Sequence, residues 1–476
     1  MCRQDGGDPG NHGVPTCAFI TLGCKVNQYD TQAIREDLAR RGYQEVPETD
    51  AADLYVVNTC CVTQESHRKS LQHVRHIARD HPNAMLIVTG CSVETDAEEI
   101  RAIPGVRAVV GNDAKRLLAA MVARGAVPSS GAVGSRQEAV GSEEEEANPP
   151  VLLPTASCRV PTASHVWPSI SRFAGHTRAF VKIEDGCDSY CSYCVVPLVR
   201  GRVRSRPPDE VVDEVRRLVE NGYREVVLTG IHLGAYGRDA GGTCGLVPLL
   251  ERVAVSCPGL VRLRLSSLEL QEVTDGLIDL VAASPVICPH FHIPLQSGDD
   301  AVLRAMNRRY TVGEFLARLD AIRQRIPEPA ITTDVIVGFP GETDEQFGHT
   351  MDVARQAGFS RTHVFPYSDR KGTRASEMEG KLPRAAIDAR RRAMLGVAQE
   401  LGCAYHQRFV GREITVLVES QRDRRTGLLC GYSERYVRAF FEGSDDLRGR
   451  MVAVRVGQAM ASGVGAEEAQ GERHVP

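Results

Sequence analysis

Three cysteines near the middle of the chain, Cys187, Cys191 and Cys194, lie in the stretch IEDGCDSYCSYCVVP with the spacing C-x-x-x-C-x-x-C. Three thiolates on one short loop grip three corners of a cubic 4Fe–4S cluster, and a cluster held by cysteine alone needs four. No fourth cysteine lies close by. One iron is therefore left with an open position, as a catalytic metal requires. Zinc is the competing metal, but zinc knuckles show two pairs of ligands, and no second C-x-x-C follows. Gly186 permits a tight turn before the first thiol, and Pro197 ends the loop. Tyr190 and Tyr193, between the thiols, can shield a cluster from water.

A second set is dispersed. Cys24, Cys60 and Cys91 each follow an apolar run, in FITLGC, LYVVNTC and LIVTGC. In an open parallel sheet the carboxyl ends of neighbouring strands line one edge, where ligands bind. Three cysteines far apart in sequence can converge there. Three independent buried cysteines are the competing explanation. Cys61 adjoins Cys60, and neighbours in extended chain point to opposite sides, so only one of the two should ligate. The residues alone leave that choice open.

Those loops need strands to place them. Over residues 15–125 apolar runs alternate with amphipathic stretches such as TQAIREDLARRGY and SHRKSLQHVRHIARDH, which predicts an open parallel α/β domain. Residues 126–172, with Glu143–Glu146, Cys158 and His165, break the pattern and read as a linker or insertion. Over 173–403 the alternation resumes. Six strand candidates, RAFVKIED, EVVLTG, VRLRLSS, HFHIPLQ, ITTDVIVGF and RTHVFPYS, predict a partial (βα)6 barrel with its active site at the strand carboxyl ends. A helix at PRAAIDARRRAMLGVAQELGCAYHQR leads out of it. Over 404–470 short runs predict a small antiparallel β-barrel, and the last twenty or so residues read as frayed.

Composition agrees with this reading. The chain has 476 residues, enough for two to four domains, and a formal charge of −4, so a nucleic-acid partner must be met by a local basic surface. The 15 cysteines are an odd number, and the polar, Gly-rich start has no apolar core of a signal peptide. These features predict a reduced, cytosolic chain rather than a disulfide framework. Cys17, Cys244, Cys257, Cys288, Cys403 and Cys430 read as small buried apolar residues. No apolar run is long enough to span a membrane.

The thiol spacing resembles the signature of radical S-adenosylmethionine (SAM) enzymes. LGCKVNQYDT, VVNTCCVT and VTGC, followed by LTGIHLGAYG, RLRLSSLE, HFHIPLQSG, DVIVGFPGET and HVFPYSDRKGTRA, resemble the tRNA methylthiotransferases of that class over nearly the whole chain. IHLGAYG and GYSERYVRAFF favour the threonylcarbamoyladenosine branch of the family. The resemblance implies two 4Fe–4S clusters, one on Cys187, Cys191 and Cys194 and an auxiliary one on Cys24, Cys60 and Cys91. It thereby prefers Cys60 over Cys61. It also implies SAM as cofactor, tRNA as substrate, an external one-electron reductant and a sulfur source. The implied reaction inserts a methylthio group at C2 of N6-threonylcarbamoyladenosine, at tRNA position 37. A hydrogen on that aromatic carbon is too inert for side-chain acid–base chemistry, so no catalytic residue beyond the cluster ligands is expected.

Strand ends of the central barrel are the candidates for SAM: Gly230, Ser266, Gln296 and Gly338. His232, His290 and His292, read as lying near the same edge, are expected to be hydrogen-bonded support rather than ligands. Arg200, Arg202, Arg204 and Arg206, spaced by two, would share one face of an extended segment and meet phosphates. In the last domain, ten arginines oppose seven acids over residues 408–457. Arg424, Arg425, Arg435 and Tyr436 are its candidate RNA contacts, and the resemblance implies a TRAM domain there. A structural cap is the competing reading. The competing functions are methylthiolation of isopentenyladenosine, methylthiolation of a ribosomal-protein aspartate, and a non-catalytic iron–sulfur protein that binds RNA or relays electrons.

Overall fold

The computed structural model describes residues 13–124, 151–152, 167–241 and 244–469. Cys158, His165 and the Glu143–Glu146 run fall outside the described residues. Two compact units divide at Pro168, residues 1–168 and 169–476.

The first unit is a parallel sheet with helices on both faces. Its elements are β1 (Thr16–Thr21), α1 (Lys25–Arg40), β2 (Gln44–Glu45), β3 (Leu54–Thr59), α2 (Gln64–Asp80), β4 (Met85–Gly90), α3 (Cys91–Arg101), β5 (Val106–Val110), α4 (Leu118–Ala123) and β6 (Val151–Leu152). The strands run in the order β2-β1-β3-β4-β5-β6. β3 and β4 are buried along their whole length, as a strand covered on both faces must be. Alternate residues serve opposite layers. Tyr55, Val57, Leu86 and Val88 pack with Leu71, Val74 and Ile77 of α2. Leu54, Val56 and Ile87 pack with Ile34 and Leu38 of α1 and Leu118 of α4.

The second unit begins with the central segment. It contains β7 (Ala179–Lys182), β8 (Glu184–Asp185), α5 (Val196–Arg200), β9 (Arg204–Ser205), α6 (Pro208–Glu220), β10 (Glu225–Thr229), α7 (Leu246–Ser256), β11 (Arg262–Leu265) and α8 (Asp275–Ala283). Then come β12 (His290–His292), α9 (Asp300–Ala305), α10 (Val312–Arg325), β13 (Ala330–Val337), α11 (Asp344–Ala357), β14 (Arg361–Pro366) and α12 (Arg384–Gln407). β7, β10 and β11 pair in parallel, as do β12, β13 and β14. Single parallel bridges, Leu263 to Ile287 and Ser267 to His292, join the two trios into a six-strand half-barrel.

The last segment closes on itself through β15 (Glu413–Val418), β16 (Leu429–Tyr432), β17 (Arg438–Phe441), β18 (Met451–Met460) and β19 (Gly463–Glu468), in the order β15-β16-β17-β19-β18. Its pairings are antiparallel except β17 with β19, which is parallel. The expectation of a frayed tip is corrected. β19 forms the fifth stave, with Val464 fully buried. Closure leaves no open edge, and this holds a segment whose composition alone suggests a loose tail.

One joint ties this small barrel to the amino ends of the half-barrel strands. Glu225, fully buried, faces Arg264 at 2.7 Å, Arg178 at 3.3 Å and Arg262 at 3.6 Å. Arg262 donates to the carbonyls of Tyr432 and Thr415, and Arg264 to those of Ser433 and Glu434. Tyr436 lies over the Arg264 guanidinium at 3.7 Å, edge-on to His290. Burial pushes the Glu225 carboxyl up, but Arg264 and Arg178 outweigh it and hold it below the usual glutamate range. Glu225→Gln should cost about 3–5 kcal/mol, because buried Arg264 loses the carboxylate that faces it and Arg178 and Arg262 are left with Glu419 and Glu434 alone. Since the folded-state value is depressed, this contribution is present at neutral pH and is lost as pH falls through the lowered value. Urea unfolding of the two proteins should therefore differ most at neutral pH and converge in acid.

Candidate functional site

The middle loop starts where β7 and β8 end. Gly186 has φ +91°, and a Cβ there would come 2.0 Å from the Arg202 carbonyl oxygen, so only glycine permits the return of the chain. Cys187, Cys191 and Cys194 are all half-buried and close enough for Cys194 to feel both other thiols. Burial, then Cys191, pushes the Cys194 thiol up to about 12. Cys187 goes the other way. Burial opposes its thiolate, but His232, with Nδ1 3.7 Å from the sulfur, outweighs burial and lowers it. His232 is itself raised to about 10 in spite of burial, by Cys187 and by Glu272, whose Oε1 is 2.6 Å from Nε2.

Further support comes from distant sequence. Arg308 Nη1 lies 3.3 Å from Cys191 Sγ and 3.1 Å from Glu269 Oε1. Asn307 donates to the Tyr190 carbonyl at 2.8 Å and so holds that residue at φ +48°. Ser192 donates to the Ala305 carbonyl. A cavity of about 110 Å³ opens beside Cys191, lined by Ser189, His232, Glu269, Asn307 and Arg308. Sequence reasoning missed Arg308, Glu269, Glu272 and Asn307, since no local spacing marks residues that reach the loop through the fold.

The strand-end candidates lie where expected, after β10, β11, β12 and β13. Among the described residues Ser266 Oγ and Gln296 Oε1 are buried without a hydrogen-bond partner, and Gln296 has φ +64°. Orphaned acceptors at a strand edge fit a polar ligand bearing ribose hydroxyls or an amino group. Gly338 donates its N–H to Glu342 at 2.8 Å. A Cβ on Gly230 would come 2.5 Å from Glu184 Oε2. Glu184 is fully buried, and burial pushes its carboxyl well up.

In the first unit, Cys24 precedes α1, Cys60 follows β3, and Cys91 opens α3. Cys24 and Cys91 thus sit at helix amino ends, where the helix dipole favours a thiolate. Cys60 lies close enough to feel both of the others, and burial pushes its thiol up. A Cβ on Gly23 would come 2.8 Å from Cys60 Sγ, so glycine is what lets the first loop close over that sulfur. Asn27, fully buried, donates to the carbonyls of Leu22 and Thr59, and Asn58 donates to the Asn27 carbonyl. These two asparagines clip the ends of β1 and β3 together. Ser70 Oγ accepts from the Cys60 N–H at 3.0 Å.

Several basic candidates are placed elsewhere. Arg200 is buried against Asp185 at 3.0 Å, and Arg206 against Glu214 at 3.1 Å. The expected common face of four arginines is corrected, because Arg200 ends helix α5 and Gly201 turns the chain before β9. Arg424 and Arg425 are exposed. Arg435 instead donates to the Glu328 carbonyl at 3.0 Å, and Tyr436 faces Arg264. Tyr436 thus belongs to the joint and Arg435 is tied to Glu328, while both remain partly exposed. His290 is turned to Tyr436 at the amino ends of the strands, away from the edge expected for it. Cys17, Cys257, Cys288 and Cys430 are buried, whereas Cys244 and Cys403 are only partly so. Among the described residues no helix is long and apolar enough to cross a membrane.

Residues 16–111 match the family described as uncharacterized protein family UPF0004, and residues 181–354 match the radical SAM superfamily. The chain is 36% identical over 444 residues to the threonylcarbamoyladenosine tRNA methylthiotransferase MtaB of Bacillus subtilis, covering 93% of each chain. It is 36% identical to the MtaB of Thermotoga maritima, covering 94% of this chain and 96% of the relative. It is 33% identical to the tRNA-2-methylthio-N(6)-dimethylallyladenosine synthase of Desulfitobacterium hafniense, covering 92% and 94%. A solved radical SAM methyltransferase, TsrM from Kitasatospora setae, shares the fold with a TM-score of 0.50 at 16% identity, over 74% of this chain and 73% of that one. A thiol triplet at the carboxyl end of a six-strand half-barrel, a three-cysteine sheet edge and identity at this level along nearly the full length agree: the chain belongs to the tRNA methylthiotransferase family of radical SAM enzymes.

Proposed function

We propose that this chain methylthiolates C2 of N6-threonylcarbamoyladenosine at position 37 of tRNA. The observation that carries the reading is 36% identity over 93% of the chain to a relative named for that nucleoside. Cys187, Cys191 and Cys194 hold one 4Fe–4S cluster, and Cys24, Cys60 and Cys91 hold the auxiliary one. When bound, the first cluster and SAM supply a radical strong enough to take the inert C2 hydrogen, and the second supports sulfur delivery. Ser266 and Gln296, with their orphaned atoms, bind polar groups of SAM, and Gly230 and Gly338 let it approach the backbone. His232 favours the thiolate of Cys187, and Arg308 that of Cys191. Arg424 and Arg425, open at the small barrel, meet RNA phosphates. An external one-electron reductant and a sulfur source complete the reaction.

Mass spectrometry of tRNA nucleosides from a deletion strain tests this. The methylthio form of N6-threonylcarbamoyladenosine should disappear and its unmodified parent accumulate. An undiminished methylthio form defeats the proposal. Loss of the isopentenyladenosine derivative instead moves the chain to the branch of the Desulfitobacterium relative.

A further inference from the structure

Among the described residues of the second unit, seven arginines are buried: Arg200, Arg206, Arg262, Arg264, Arg308, Arg370 and Arg390. Six of them face a carboxylate. Arg200 meets Asp185, Arg206 meets Glu214, Arg262 and Arg264 meet Glu225, Arg308 meets Glu269, and Arg390 meets Glu342. Arg370 is the exception. It is 8% exposed, its Nε is buried without a hydrogen-bond partner, and no carboxylate among the described residues pairs with it. Asp369, next in the chain, is taken by Lys381 at 2.6 Å. A guanidinium this buried with no counter-charge is costly, and an arriving anion would offset that cost.

The place of Arg370 says which anion. It lies just past the carboxyl end of β14, in a segment fastened to the thiol loop, where the Ala375 N–H donates to the Ser192 carbonyl at 2.8 Å. Tyr367 and Met378, on either side of it, pack in one apolar cluster with Tyr193 and Phe339. A Cβ on Gly372 would come 3.3 Å from Leu198 of α5. The atoms assigned to SAM follow β10 to β13, whereas Arg370 follows the last strand, β14.

We propose that Arg370 receives an oxyanion of the tRNA substrate, either a backbone phosphate beside the target base or the threonyl carboxylate upon it. A guanidinium fork matches either group with two parallel hydrogen bonds, and apolar surroundings strengthen the pair. This inference rests on the reading that tRNA is the substrate.

The test uses iron-loaded wild-type, Arg370→Lys and Arg370→Gln proteins. Two probes are compared, tRNA carrying N6-threonylcarbamoyladenosine and the same tRNA unmodified. Arg370→Gln should weaken tRNA binding at least tenfold and Arg370→Lys less, with the SAM dissociation constant unaltered. Equal weakening for both tRNAs identifies a phosphate, and weakening confined to the modified tRNA identifies the carboxylate; either supports the proposal. Unchanged tRNA affinity in Arg370→Gln overturns it, as does a loss of SAM affinity with tRNA binding intact. Weakening that tracks loss of iron in both variants marks a structural role and also overturns it. If the chain modifies another nucleoside, product analysis shows that separately, while the phosphate arm still reads Arg370.

Discussion

Cys191→Ala is expected to drive 5′-deoxyadenosine formation from SAM below detection and to lower bound iron from about eight to about four atoms per chain, the content of a single cubane. The three thiols of that loop have no spare partner among the described residues, since the other cysteine-bearing loops belong to other elements. Arg308 would remain beside the vacated position with only Glu269 to balance it. Fold should survive, because Cys191 is only half-buried and its loop is pinned by Ser192, Asn307 and Gly186. Circular dichroism close to wild type together with lost SAM cleavage is the expected pair of results. Retained cleavage would refute the ligand assignment.

Cys60→Ala and Cys61→Ala should separate sharply. Cys60 lies within electrostatic reach of Cys24 and Cys91, and its sulfur is the atom over which Gly23 closes. Cys61 is fully buried beside it. Cys60→Ala should abolish the methylthio nucleoside and reduce iron to about four atoms per chain, while 5′-deoxyadenosine is still formed. Cys61→Ala should keep both products and cost on the order of 1 kcal/mol in stability, the usual result of trimming a small buried group. The reverse pattern would transfer the ligand role to Cys61. Iron analysis and nucleoside mass spectrometry on the same preparations decide it.

Much of this site was legible because strand and thiol are neighbours in sequence. FITLGC, LYVVNTC and LIVTGC each carry the apolar run and the cysteine it delivers, and β1, β3 and β4 form where those runs predict them. The strand ends after β10 to β13 were readable for the same reason. The supporting groups were not. Arg308 reaches Cys191 across 117 residues, and Glu272 reaches His232 across forty. Such partners are chosen by the fold and leave no spacing behind. β2 and β6, two residues each, carry too few side chains to show a period. The arginines misled for a related reason. Alternation in sequence suggests a shared face only in extended chain, and Arg200 closes a helix instead. The contact of Tyr436 with Arg264, 172 positions earlier, was equally invisible in local spacing.

The Glu225 joint has a consequence for any fragment that stops short of β15. Such a fragment would lose the four carbonyl acceptors from Thr415, Tyr432, Ser433 and Glu434, along with the Tyr436 ring. Arg178, Arg262 and Arg264 would then surround one carboxylate at the end of the half-barrel away from the thiol loop, as a bare cationic socket. A socket of that kind adheres to any polyanion, heparin and stray DNA included. In the intact chain the small barrel covers that socket, with the carbonyls of Thr415, Tyr432, Ser433 and Glu434 and the Tyr436 ring occupying the guanidinium groups.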